Sequence, residues 1–229
     1  MNHFTTLKKR QKPENSKEIL SAFFLLLARN RNHSFLLYDA LLQAGANPNL
    51  CLKIDTDYFK PPYFYLNYVE ESRLEKWIDF LLERGADLNT PSESGSTPCW
   101  ELIQTNLELE CLEILLKKGV HVNTPINLGQ QRYLDNEIRA TTLLHAISLR
   151  DRRSFPRGLR DRSEWENLNI EYAKILIKYG ANPSQTNLQG ETPAVFAREH
   201  EYERLAQYLE QMAAAQTLKE EVSNTNSTL

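Results

Sequence analysis

Four times along this 229-residue chain a paired apolar step runs into glycine and then a short polar turn. The apolar pairs are Leu41-Leu42, Leu81-Leu82, Leu115-Leu116 and Leu176-Ile177. The glycines are Gly45, Gly85, Gly119 and Gly180, followed by Ala46-Asn47, Ala86-Asp87, Val120-His121 and Ala181-Asn182. Each is the end of an amphipathic helix, because glycine takes the left-handed position just past a helix without steric cost. Spacings of 40, 34 and 61 residues separate successive glycines. A recurring helix end constrains the fold strongly: the chain is an array of similar small units that bury apolar faces only by stacking on each other.

Unit starts recur too. Gly95-Ser96-Thr97-Pro98 and Gly190-Glu191-Thr192-Pro193 place glycine for a tight turn, threonine as a cap and proline at the first helical position. Thr142-Leu143-Leu144-His145-Ala146 is a degenerate copy. These starts and ends resemble the ankyrin-repeat family, whose signature is Gly-x-Thr-Pro-Leu-His. The resemblance covers about residues 17–212. It implies an all-α ankyrin-repeat solenoid of about five helix-turn-helix units (17–49, 50–89, 90–123, 124–184 and 185–212) with β-hairpin-like fingers and insertions. A basic segment, 1–16, precedes it. A polar tail, 213–229, follows it, expected to be mobile beyond Ala215 because it has little to bury.

Composition narrows the function. Lys plus Arg is 27 against 30 for Asp plus Glu, a net charge of -3, so no DNA binding is expected. The longest apolar run, residues 19–28, falls short of the roughly 20 residues of a membrane span. Arg29-Asn30-Arg31-Asn32 follows that run in place of a signal cleavage site, so two helices are expected over its surroundings. Cys51, Cys99 and Cys111 cannot all pair, which fits a reducing, cytoplasmic setting. The histidines His3, His33, His121, His145 and His200 have no zinc-ligand spacing to one another or to cysteine. There is no phosphate-cradling loop or nucleophile elbow. The expectation is a non-catalytic, monomeric protein-binding module with no metal and no cofactor.

The resemblance also locates departures. Residues 50–68 carry Tyr58, Tyr63, Phe64 and Tyr65 around Pro61-Pro62; by register Tyr63 takes the buried leucine place and Tyr65 an exposed one. Trp100 replaces the signature histidine beside Glu101, and Phe196 is read as the exposed residue of the last unit. Tyr65, Trp100 and Phe196 thereby outline an aromatic stripe on the expected concave face, aromatic residues being favoured interface anchors; such rings also fill gaps between divergent repeats, and core packing is the reading preferred at Trp100 and contact at Phe196. The long finger 124–140 adds Arg132 and Tyr133. An insertion within the fourth unit, residues 150–162, holds Arg150, Arg152, Arg153, Arg157, Arg160 and Arg162 with two aspartates. As guanidinium forks bind phosphate and carboxylate, this run supports a rival reading as an anion-binding module for phosphoprotein, lipid headgroup or RNA. A cryptic catalytic site in the same insertion is a third reading.

Within the resemblance, Asn89 sits where a family asparagine hydroxylase acts, and His145 where the family makes structural hydrogen bonds between repeats. The insertion-rich repeats and the end of the chain around Lys219-Glu220-Glu221 are similar to ankyrin effectors that intracellular bacteria deliver by type IV secretion. That implies a eukaryotic host protein as partner, in host cytosol or nucleus.

Overall fold

The computed structural model describes residues 16–30, 34–54, 57–92, 95–105, 108–126, 142–149 and 161–226. Helices dominate them, as the glycine-terminated apolar runs predict. The chain divides into two compact units, residues 1–93 and 94–229.

The first unit opens with α1 (Ser16–Arg29) and α2 (Phe35–Gln43), the two helices expected around the amino-terminal apolar run. Ser34 caps α2, its hydroxyl accepting from the Leu37 N–H. A short antiparallel hairpin follows: β1 (Leu52–Ile54) and β2 (Asp57–Phe59) pair with Leu52 opposite Phe59. Two single 3-10 turns, Pro62–Phe64 and Leu66–Tyr68, lead into α3 (Glu71–Glu83). Proline at the first turn and the crowded aromatic residues leave room for only this truncated helix. Tyr63 and Phe64 are buried in it. The core of this unit is aromatic. Tyr38 meets both Phe24 and Trp77 edge-on, and the Trp77 ring stacks on Phe80 with centroids 5.4 Å apart.

The second unit consists of three helix pairs. The shorter members are α4 (Pro98–Gln104), α6 (Leu143–Ser148) and α8 (Pro193–Glu199); the longer are α5 (Leu109–Lys117), α7 (Arg162–Lys178) and α9 (Glu203–Asn226). The short helices pack in the order α4, α6, α8 and the long ones in the order α5, α7, α9, so the pairs form two layers. Short and long helices also pack within each pair. Between the layers lie Leu112, Leu115, Leu144, Ile147, Trp165, Leu176, Leu205 and Leu209, each almost wholly buried.

The four glycines do what their spacing requires. Gly45, Gly85, Gly119 and Gly180 have φ between 85° and 99°. At each, the glycine N–H donates to the carbonyl three residues back, and the next N–H donates to the carbonyl five residues back. This paired closure satisfies carbonyls that the helix end would orphan.

One expectation needs correction. The segment 213–226, read as part of a mobile polar tail, is helical: α9 continues through it to Asn226. Alanine, glutamine, glutamate and lysine are strong helix formers, and Gln216 donates to Glu220 one turn on. Of the insertion read over residues 150–162, only Asp161 and Arg162 are described, at the start of α7. α7 has 17 residues against 9 in α5, starting at Arg162 under an Asp161 cap that accepts from the N–H groups of Ser163 and Glu164.

Candidate functional site

A recurring asparagine fixes each turn to the next within a unit. Asn49 accepts from the Asp87 N–H at 2.8 Å and donates to the Gly85 carbonyl at 2.8 Å. The Tyr63 hydroxyl donates to the same amide oxygen. Asn123 repeats this arrangement in the second unit, accepting from the Asn182 N–H at 2.7 Å and donating to the Gly180 carbonyl at 2.8 Å. Both asparagines stand four residues past their glycine, as does Asn89. The Asn89 N–H donates to Asp87 Oδ1, and its side chain is half-buried.

On this framework residues 187–191 form a stiff loop before α8. Asn187 is buried and organises it. Its amide oxygen accepts from the Gln189 and Glu191 N–H groups at 3.0 and 2.9 Å, while its amide NH2 donates to the Glu191 carboxylate. Backbone bonds from Asn187 to Glu191 and from Gly190 to Asn187 close the turn. His145 then ties the loop to α6. The Thr142 N–H donates to Nδ1, which makes Nε2 the protonated nitrogen, and Nε2–H donates to the Glu191 carbonyl at 3.1 Å. The imidazole is fully buried, and desolvation lowers its pKa. A neutral ring is therefore part of the loop's support.

This loop projects Leu188, which is 64% exposed. On α8 the exposed edge carries Val195, Arg198 and Glu199. Arg198 is engaged by Glu203 and Glu210 of α9. The Glu199 carboxyl is held above its usual range chiefly by the neighbouring Glu191 carboxylate. The loop and the exposed edge of α8 thus carry two exposed aliphatic side chains, Leu188 and Val195, and two interacting carboxylates, Glu191 and Glu199.

The expected aromatic anchors fare differently. Trp100 and Phe196 are buried, 5% and 8% exposed, so neither belongs to an exposed stripe: the contact reading is overturned for Phe196, and Trp100 takes the core-packing place. Helical period explains Phe196. Pro193, Ala194, Phe196 and Ala197 turn inward together, leaving Val195 outward on the same edge as the charged Arg198 and Glu199. Phe196 meets the His145 ring edge-on and lies 4.4 Å from the His200 ring centroid. Trp100 packs with Cys99, Leu102 and Ile103 on the buried side of α4. Among the described residues its indole N–H has no hydrogen-bond partner. Glu101 is half-buried and accepts from the Ser96 hydroxyl. Tyr65 is half-buried at the junction of the two 3-10 turns; burial raises the Tyr38 phenol pKa, and charge interaction with Tyr65 raises it further. Tyr58 belongs to β2, with its side chain outside the described residues.

Arg132 and Tyr133 lie outside the described residues, as do Arg150, Arg152, Arg153, Arg157 and Arg160. Arg162 is described, and its guanidinium is already used. It donates to the Glu201 carboxylate at 3.0 Å and to the Glu201 carbonyl, and lies over the Tyr202 ring. Among the described residues, no group of three His, Cys, Asp or Glu side chains could hold a metal ion. Burial pushes the Cys99 thiol up to about 12, so it packs as a small neutral hydrophobe. No described helix is long and apolar enough to cross a membrane.

In comparisons with known proteins, no family model and no curated sequence matches the chain.

Sequence reasoning missed Leu188, Val195 and the Glu191–Glu199 pair. The alternation of Val195 with the charged residues three and four positions on was the available signal. For Leu188 the signal was the Asn-Leu-Gln-Gly run, a tight turn with an apolar residue at its tip.

Proposed function

We propose that this chain is a divergent ankyrin-type repeat protein that binds a partner protein without catalysing a reaction. The binding surface combines the 187–191 loop with the exposed edge of α8. The repeated glycine closures, the asparagine bridges between successive turns and the two-layered stacking of helix pairs support the family reading. The observation that carries the functional reading is the loop itself: Leu188 is held out on backbone already fixed by Asn187 and His145. A pre-ordered apolar projection loses little entropy on association. The adjacent Glu191 and Glu199 carboxylates suit a partner segment that combines apolar and basic residues. If the chain acts inside a eukaryotic host, host proteins supply that segment.

The test places a photoreactive amino acid at position 188 and, separately, at position 174, an exposed site on α7. Crosslinked partner from 188 and none from 174 supports the assignment. A Leu188→Asp/Val195→Asp double variant should keep its thermal melt and lose the crosslink made by a probe at position 189. Equal crosslinking from both sites, or a double variant that still binds, removes this surface from consideration.

A further inference from the structure

The three short helices of the second unit share one register. Each begins just past a threonine, Thr97, Thr142 or Thr192, and three residues on from it stands Trp100, His145 or Val195. In α4 and α6 the edge through that position joins the helix to the pair that follows. Trp100 is buried, and four residues on the Gln104 amide donates to the Ala146 carbonyl of α6 at 2.6 Å. His145 is buried as well, donates to the Glu191 carbonyl and meets the Phe196 ring of α8. α8 is the last short helix, and there the same two positions are Val195, 40% exposed, and Glu199, also exposed. Terminal units of a stacked array ordinarily turn a polar face outward. Here all four exposed large hydrophobic side chains among the described residues of the second unit, Leu188, Val195, Leu218 and Val222, belong to the last helix pair and its leading loop.

The chemistry of this edge reverses at α8, and the reversal selects the occupant. Gln104 and His145 donate hydrogen bonds forward to carbonyls, whereas an ionised Glu199 only accepts. The neighbouring Glu191 carboxylate holds the Glu199 carboxyl above its usual range, a repulsion that an incoming cation relieves. A second copy stacked edge to edge would set Glu191 and Glu199 against their own counterparts, which like-charge repulsion opposes. Val195 and Glu199 stand one turn apart on one side of α8, the spacing at which a neighbouring helix meets both. We propose that this edge takes one further helix, supplied by a partner protein and laid against α8 as α8 lies against α6, with an apolar side chain on Val195 and a lysine or arginine on Glu199. The proposal rests on the reading of the 187–191 loop and the α8 edge as the binding surface, and it says what kind of segment docks there.

The probe is an acetylated, alanine-based helical peptide of about 18 residues with a leucine stripe flanked by lysines; its counterpart has glutamate at each lysine. Fluorescence anisotropy against the full chain should show the lysine peptide binding at least about tenfold more tightly than the glutamate peptide. Val195→Asp should weaken the lysine peptide about tenfold with little change in thermal melt, since the side chain is exposed and an acidic residue suits the first turn of a helix. Glu199→Gln should narrow the difference between the two peptides to less than about threefold. A proline in the middle of the lysine peptide breaks its helix and should abolish binding. Crosslinking from position 188 combined with no binding of the lysine peptide, with binding that either variant leaves unchanged, or with equal binding of the proline form overturns the stacked helix and leaves the loop as the binding surface. Equal crosslinking from positions 188 and 174 removes the surface itself, and this proposal with it. A concentration-dependent dimer lost in Val195→Asp makes the occupant a second copy and likewise overturns the proposal.

Discussion

At the residue scale, His145 shows how one protonation state supports a loop. Its Nδ1 accepts and its Nε2–H donates, so the ring does its work neutral. Burial lowers the folded-state pKa below the ordinary value of 6.5. Above that value neither folded nor unfolded ring carries a proton, and the support is intact. As pH falls through it, the unfolded chain takes up a proton that the folded chain resists, so stability declines. The slope contributed by this residue approaches about 1.4 kcal/mol per pH unit until the folded ring itself protonates. Urea unfolding from about pH 7 to about pH 5 should therefore show a steeper loss for the wild type than for His145→Gln, which cannot titrate. Parallel profiles would mean that other groups carry the acid sensitivity. The place of His145 was legible because it sits in a recognisable start motif. The opposite holds for Glu201. It has φ 63°, the only positive value among the described non-glycine residues, and it closes α8 with the bond pattern of the four glycines. Without glycine there, the sequence carries no local mark of that turn. The strain of the left-handed position is tolerated because Arg162 engages both the carboxylate and the carbonyl of Glu201.

At the element scale, α7 and α9 show where a repeat pattern stops being informative. The regular helix ends followed from glycine chemistry, and the short helices from the Thr-Pro caps at Thr97 and Thr192. The extension of α7 did not, because its first turns were read together with the arginine-rich run before them. Its reason is tertiary. The extra turns bring Trp165 to the Tyr202 hydroxyl, at 3.1 Å, and Glu166 to the start of α9. Glu166 is only 6% exposed, and one of its oxygens accepts from the N–H groups of Arg204 and Leu205 at 2.7 and 3.1 Å. α9 thus receives its cap from a side chain 38 residues earlier, a relation invisible to a local window. The carboxylate also meets the positive end of the helix dipole. Glu166→Ala should lower stability by about 2 kcal/mol, since a buried and a part-buried donor lose their acceptor. Glu166→Gln keeps an acceptor and should cost roughly half as much. Chemical denaturation of the three proteins separates the outcomes, and equal losses for both variants would mean that packing, with no contribution from the cap, sets the value.

At the scale of the whole molecule, each of the two units keeps its own core. Residues 1–93 centre on Phe24, Tyr38, Trp77 and Phe80, and residues 94–229 on Leu115, Trp165, Leu176 and Leu205. In a chain built by stacking, each element depends on its nearest neighbours, so damage in one unit should remain concentrated there. Leu176→Ala is suited to the question. The side chain is completely buried in α7, between helices that pack on it from both long neighbours, and its own carbonyl accepts from Ala181 in the turn closed by Gly180. Truncating it should cost about 2–5 kcal/mol. Peptide-resolved hydrogen exchange should then quicken in α5, α6, α7 and α9, while peptides from α1 to α3 change by less than about threefold. A uniform acceleration through both units would instead mean a single all-or-none structure, in which the second unit's losses are shared by the first. The choice matters for binding: local softening would weaken the support of Leu188 while leaving the aromatic core of the first unit in place.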